Sequence, residues 1–204
     1  MTLRASLLVC LVATASSVST RAHDLPPDVV ARIRAVGQAR FADKALQQAF
    51  IDSQIDSYRG LMAYAPEGIP RDRLDMVKAQ LDARYPTDYW VQRQHLDLEV
   101  DGYRFLDRYH PDGISPTDLD RLRERARKLA NDSYSMQRTL LVGQVESCQA
   151  LMAYAPDGLP PDVLADIKKR IARKYPLDCL TQRRLVENEV RGYFERPQQN
   201  HQSR

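Results

Sequence analysis

Two columns of polar side chains recur at a fixed spacing along the chain, Gln47, Gln92, Gln137 and Gln182 in one, Gln54, Glu99, Gln144 and Glu189 in the other. The columns lie seven residues apart, two turns of a helix, so their members project to nearly the same side. Amide and carboxylate groups arranged in this way can hydrogen-bond the backbone of an extended peptide laid across successive helices. These eight residues form the candidate binding site. The competing use is internal, since the same side chains can satisfy neighbouring helix ends or one another.

Other reactive residues carry less. His95 and Glu99 share a helix face and could give a metal two ligands, but the other units have no histidine in that column and no Cys/His cluster lies nearby. Asp97, Glu99 and Asp101 supply carboxylates of the kind that glycosidases pair, yet alternate residues on a helix do not face one another. The turn at His110-Pro111-Asp112-Gly113 would place Arg108, His110 and Leu119 at the first, third and twelfth positions of a calcium loop, where they make poor ligands. No G-x-S-x-G, H-E-x-x-H or phosphate-binding glycine loop is present. The sequence predicts no catalytic residue, no metal site and no cofactor.

The elements that carry these residues are legible from self-similarity. A shift of ninety positions lays Leu61-Met62-Ala63-Tyr64-Ala65-Pro66-Glu67-Gly68 on Leu151-Met152-Ala153-Tyr154-Ala155-Pro156-Asp157-Gly158, and Lys78, Tyr85, Pro86, Asp88, Gly102 and Tyr103 on Lys168, Tyr175, Pro176, Asp178, Gly192 and Tyr193. A shift of about forty-five gives a fainter match that aligns the four glutamines of the first column. Four units follow, 25–68, 69–113, 114–158 and 159–197, each reading as two helices. Leu74, Val77, Leu81 and Tyr85 share one face of a first helix; Leu96, Val100, Tyr103 and Leu106 share one face of a second. Tyr85-Pro86 and Tyr175-Pro176 should end first helices, Asp88 and Asp178 should cap second ones, and Ser115-Pro116-Thr117-Asp118 reads as a helix start.

The fold expected is all-α: four tandem helical hairpins of about 45 residues, stacked as a short α-solenoid or a compact helical bundle. The period lies in the range of helical-pair repeats such as HEAT and armadillo, whose units bury their apolar faces against neighbours. The signature residues of tetratricopeptide repeats are missing, and no family's functional residues are carried over.

Composition narrows the class further. The chain has 204 residues, 43% of them hydrophobic and 28% charged, with a net charge of +3 and the two signs interleaved, which fits a folded domain and lacks the basic stripe of a nucleic-acid binder. Residues 1–22 read as a secretory signal, with Arg4 before an apolar run from Ala5 to Ala15 that is too short to span a membrane. A single helical domain is expected over 23–197, with a disordered tail over 198–204, in the periplasm or outside the cell. Once the leader is removed only Cys148 and Cys179 remain. If the hairpins stack in register these cysteines stand roughly 20 Å apart along the helix axis, so two free thiols are expected.

The resulting expectation is an exported helical-repeat binding or scaffold protein with a protein or peptide partner, no nucleic acid and no membrane span. The alternatives are an extracytoplasmic enzyme with dispersed acidic residues and a structural envelope protein. A deep cavity holding Glu99 or Asp101 would favour the enzyme.

Overall fold

The computed structural model describes residues 25–195; the leader read at 1–22 and the tail read at 198–204 lie outside them. Among the described residues there are eight helices and no strand: α1 (Pro27–Arg40), α2 (Lys44–Ala63), α3 (Arg71–Arg84), α4 (Tyr89–Arg108), α5 (Pro116–Ala130), α6 (Tyr134–Ala153), α7 (Pro161–Lys174) and α8 (Cys179–Glu195).

The local signals act where the sequence places them. Asp88 accepts the Val91 N–H at the start of α4, and Ser115 accepts the Asp118 N–H at the start of α5. Asp118 returns its bond to the Ser115 hydroxyl at 2.7 Å, its side chain being shorter than the glutamate of a full capping box. Helices α3 and α7 stop at Tyr85 and Tyr175, each followed by proline. Gly68, Gly113 and Gly158 close the turns between hairpins at φ values of 79°, 76° and 79°, where a side chain would strain the backbone.

Packing is sequential. Each odd-numbered helix packs on the even-numbered helix that follows it, and α2, α4, α6 and α8 pack on one another in chain order. No odd helix packs directly on another odd helix. The result is a stack with one layer of long helices partly covered by a layer of shorter ones, an all-helical arrangement that fits the expected solenoid or helical bundle. Leu96 and Val100 on α4, Leu141 and Val145 on α6, and Val186 on α8 are completely buried. Each such side chain contributes about 1.5–3 kcal/mol through removal from water.

The junctions between even helices are staggered. Gln54, in the middle of α2, meets the first residue of α4, Tyr89, 35 positions on; Glu99 meets Tyr134, also 35 positions on. Past the end of α2, the Glu67 carbonyl meets Arg104. The contacts run in the same order on both helices, so the helices are parallel. With a repeat of about forty-five, each even helix is advanced by about ten residues, roughly 15 Å, relative to its predecessor.

That slide overturns the expectation of two thiols. Cys148 on α6 and Cys179 at the start of α8 form a disulfide, with Cα atoms 5.0 Å apart. In-register stacking would have separated them, whereas the slide brings the N-terminus of α8 level with the second half of α6. The same two positions hold Tyr58 against Tyr89 and Tyr103 against Tyr134 at the earlier junctions, with ring centroids 4.9 Å and 5.1 Å apart.

Candidate functional site

The two polar columns lie inside the junctions. In the first, Gln47, Gln92 and Gln182 donate from their amides to the carbonyls of Phe41, Tyr85 and Tyr175 at 2.7, 2.8 and 2.6 Å. Each accepting residue ends the odd helix of the same hairpin, where carbonyls lack intrahelical partners. Gln137 is buried in the same column.

The second column serves the next hairpin. The Gln54 side-chain oxygen accepts from the N–H groups of Tyr89 and Trp90 at 2.7 and 3.3 Å. Glu99 accepts from the Tyr134 N–H at 2.6 Å, the Ser135 N–H at 3.3 Å and the hydroxyls of Ser133 and Ser135 at 2.7 and 2.6 Å. Gln144 accepts from the Leu180 N–H and donates to Asp178. Glu189, on the last described helix, meets no following N-terminus among the described residues and pairs with Arg170 instead. The orphan N–H groups of one even helix are thus capped by the side chain of its predecessor. Groups held in this way reach an extended peptide only by uncapping a helix.

A third recurring contact is absent from the predicted site. Lys78 and Lys168 donate to the carbonyls of Tyr64 and Tyr154 at 3.0 and 2.8 Å, and Arg123 donates to that of Tyr109 at 2.8 Å. Each ties a cation to the C-terminal end of the preceding even helix, the favourable end for positive charge. Burial lowers both lysine pKa values. The recurrence of Lys78 at Lys168 under the ninety-residue shift was the available signal.

The remaining candidates are separated. His95 stacks on Tyr85, with ring centroids 4.9 Å apart. Asp97 pairs with Arg93 and Asp101 with Arg104, while Glu99 is held at the α6 terminus, so the three carboxylates do not converge. Burial alone would raise the Asp178 carboxyl pKa; hydrogen bonds from Thr181 and Gln144, with the Arg125 charge, outweigh it and hold the group below its ordinary value. Among the described residues no cluster of three or more His, Cys, Asp or Glu is placed to hold a metal ion, and no helix is long and apolar enough to cross a membrane.

One open groove lies between α4 and α6. It has a volume of about 780 Å³ and is lined by Leu98, Phe105, Tyr109, Arg138, Val142 and Glu146, among others. Leu98 is 56% exposed. Phe105 stacks on Tyr109 with centroids 4.6 Å apart, and the Arg138 guanidinium lies 4.5 Å from the Phe105 ring centroid. At the α2–α4 junction, Gly60 takes the place of Phe105 and the Arg93 guanidinium fills the space beside it, over the Tyr64 ring at 4.8 Å. Burial first, then a hydrogen bond with Asp97, pushes the Tyr64 phenol up to about 12.

Phe105, Tyr109 and Arg138 were not among the predicted site residues. Tyrosine recurs at 64, 109 and 154 and arginine at 93, 138 and 183, but the column between them reads Gly60, Phe105, Ala150 and Glu195. That variable position between two constant ones was the clue. Comparison with family models, with curated proteins and with solved structures finds no match to this chain.

Proposed function

We propose that this chain is an exported helical-repeat protein that holds a protein or peptide partner in the α4–α6 groove. The observation that carries the reading is the mixed character of that groove: half-covered aromatic rings, an exposed leucine and an arginine at its wall, on a layer of rigid helices. Aromatic and arginine side chains set in a recess are the usual anchors of protein recognition. The partner chemistry that fits is an apolar side chain for the Leu98–Phe105–Val142 surface, next to an acidic group for Arg138.

The disulfide supports the extracytoplasmic part of the reading, since such bonds persist in oxidising compartments. Because Glu99 caps α6 and Asp101 pairs with Arg104, the acidic residues favour binding over catalysis. The polar columns support the scaffold that carries the groove.

The test is capture from the envelope and culture fluid of the native cell, with Phe105→Ala and Arg138→Glu as probes and Lys169→Ala, on α7, as control. One saturable partner is expected, lost with both probes and kept with the control. Capture of nothing, or capture that both probes leave unchanged, would overturn the reading.

A further inference from the structure

Among the described residues, α8, the last even helix, carries a junction surface with no helix on it. At the α6–α8 junction Gln144 receives the N-terminus of α8, Cys148 bonds Cys179, Ser147 is buried beneath the contact, and Arg125 pairs with Asp178 at 2.8 Å. Forty-five residues on, the same positions are Glu189, Tyr193, Gly192 and Arg170. They face an open groove of about 790 Å³ between α7 and α8.

Among the described residues, two of them lack the inter-helix contact that their counterparts make. Gly102 is needed because a Cβ there would stand 2.6 Å from the Tyr134 backbone, but a Cβ at Gly192 would have nothing within 4 Å among the described residues. A glycine inside a helix costs about 1 kcal/mol relative to alanine. Tyr193 is 43% exposed and meets the adjacent Phe194 ring edge-on, with centroids 5.6 Å apart, whereas its counterpart Tyr103 packs edge-on against Tyr134 of the following even helix.

The matching surface lies at the other end of the chain. The N-terminus of α2 repeats the pattern of the docked helices, with Asp43 and Gln47 standing as Asp88 and Gln92 or Asp178 and Gln182 do. Asp43, Lys44, Ala45 and Leu46 are all exposed. Asp43 accepts from the Ala45 and Leu46 N–H groups, leaving that of Lys44 at the free end. Where the internal junctions have Tyr89, Tyr134 or Cys179, α2 has Lys44, whose charge complements Glu189 and suits the Tyr193 ring. Asp43 likewise complements Arg170.

We infer that a second copy of this chain docks the N-terminus of its α2 on the α7–α8 face, continuing the stack from tail to head. The Arg170–Glu189 pair opens to receive it, with Glu189 accepting the Lys44 N–H and Arg170 turning to Asp43. The contact is heterologous, so each added copy presents a fresh tail and association is open-ended. Its charged character makes it sensitive to salt.

Sedimentation of the full chain in low salt is expected to show mass rising beyond the monomer with concentration, and less so in high salt. Gly192→Leu blocks the tail at a position where an added Cβ meets nothing among the described residues; Lys44→Glu blocks the head at an exposed position. Each alone is expected to weaken association by about tenfold or more, with thermal melting confirming that each remains folded. Mixed together, they retain one intact head and one intact tail, and a dimer containing one of each, growing no further, is expected. A parent chain that stays monomeric, a Gly192→Leu chain that associates as the parent does, or a mixture that forms no dimer would overturn the inference.

Discussion

Gly102 lies so close to the Tyr134 backbone that a Cβ built on it would stand 2.6 Å from the Tyr134 carbonyl carbon and 2.7 Å from the Ser135 nitrogen. The obstructing atoms are main chain, so α4 and α6 must part to admit a methyl group. Gly102→Ala is expected to destabilise the chain by about 1–3 kcal/mol through overpacking. Gly192→Ala, in open space, is expected to stabilise it by up to about 1 kcal/mol through helix propensity. Urea unfolding at low protein concentration compares the two, and equal effects of the same sign would refute the close approach.

The disulfide closes a sequence separation of 31 residues, and its loss is expected to cost about 3–4 kcal/mol by the loop-entropy relation. Replacing both cysteines by serine and measuring unfolding checks this. Replacing both by tyrosine reinstates the residue pair of the other two junctions and is expected to recover about 0.5–1.5 kcal/mol. If the serine and tyrosine doubles are equally unstable, the three junctions are not equivalent.

Glu99 holds two backbone N–H groups and two hydroxyls while almost fully buried. Glu99→Ala strands those donors, with an expected cost of about 2–4 kcal/mol. Glu99→Gln is expected to recover most of it, because Gln54 and Gln144 perform the same capping at the neighbouring junctions. Hydrogen exchange at Tyr134 and Ser135 should accelerate in the alanine variant and stay slow in the glutamine variant; fast exchange in both would count against this role.

Alkaline pH should unfold the stack through its buried and half-buried phenols. Burial raises the pKa values of Tyr64, Tyr89, Tyr109 and Tyr134 above 10.0, that of Tyr64 to about 12. A folded value above the unfolded one means that the stabilisation is complete below pH 10.0 and is lost as pH rises toward about 12. Phenolate absorbance from these four is expected to appear above pH 10.0, together with loss of helix. A single unperturbed step at pH 10.0, with the helices intact, would contradict the burial.

The hairpins were legible because local chemistry specifies them. Tyr85-Pro86 ends a helix and Asp88 starts one whatever surrounds them, and the ninety-residue match marks which residues are equivalent. The slide between units was not legible, because equivalence along the chain says nothing of how far one unit is displaced on the next; side-chain packing across the junction decides that. One hint was present: tyrosine gives way to cysteine at 148 and 179 together, a paired change between positions that in-register stacking would hold far apart. The polar columns were found for their spacing, but whether an amide meets a helix end or a ligand depends on the same displacement. The groove at Phe105 depends on it as well, since the slide sets Arg138 over that ring.

The capping scheme also gives assembly a direction. Asp43 accepts two N–H groups of its own helix, at 2.8 and 3.0 Å, so α2 can start without a predecessor. The later even helices draw part of their caps from the hairpin before them, through Gln54, Glu99 and Gln144 in turn. A chain shortened hairpin by hairpin from its C-terminal end keeps the N-terminal cap of every even helix that remains, giving up only the Lys78, Arg123 or Lys168 contact to the last helix's C-terminal end; one shortened by its first hairpin loses the Gln54 cap of α4. Order therefore propagates vectorially, each hairpin serving as template for the next, in the sequence in which a chain emerging N-terminus first presents them.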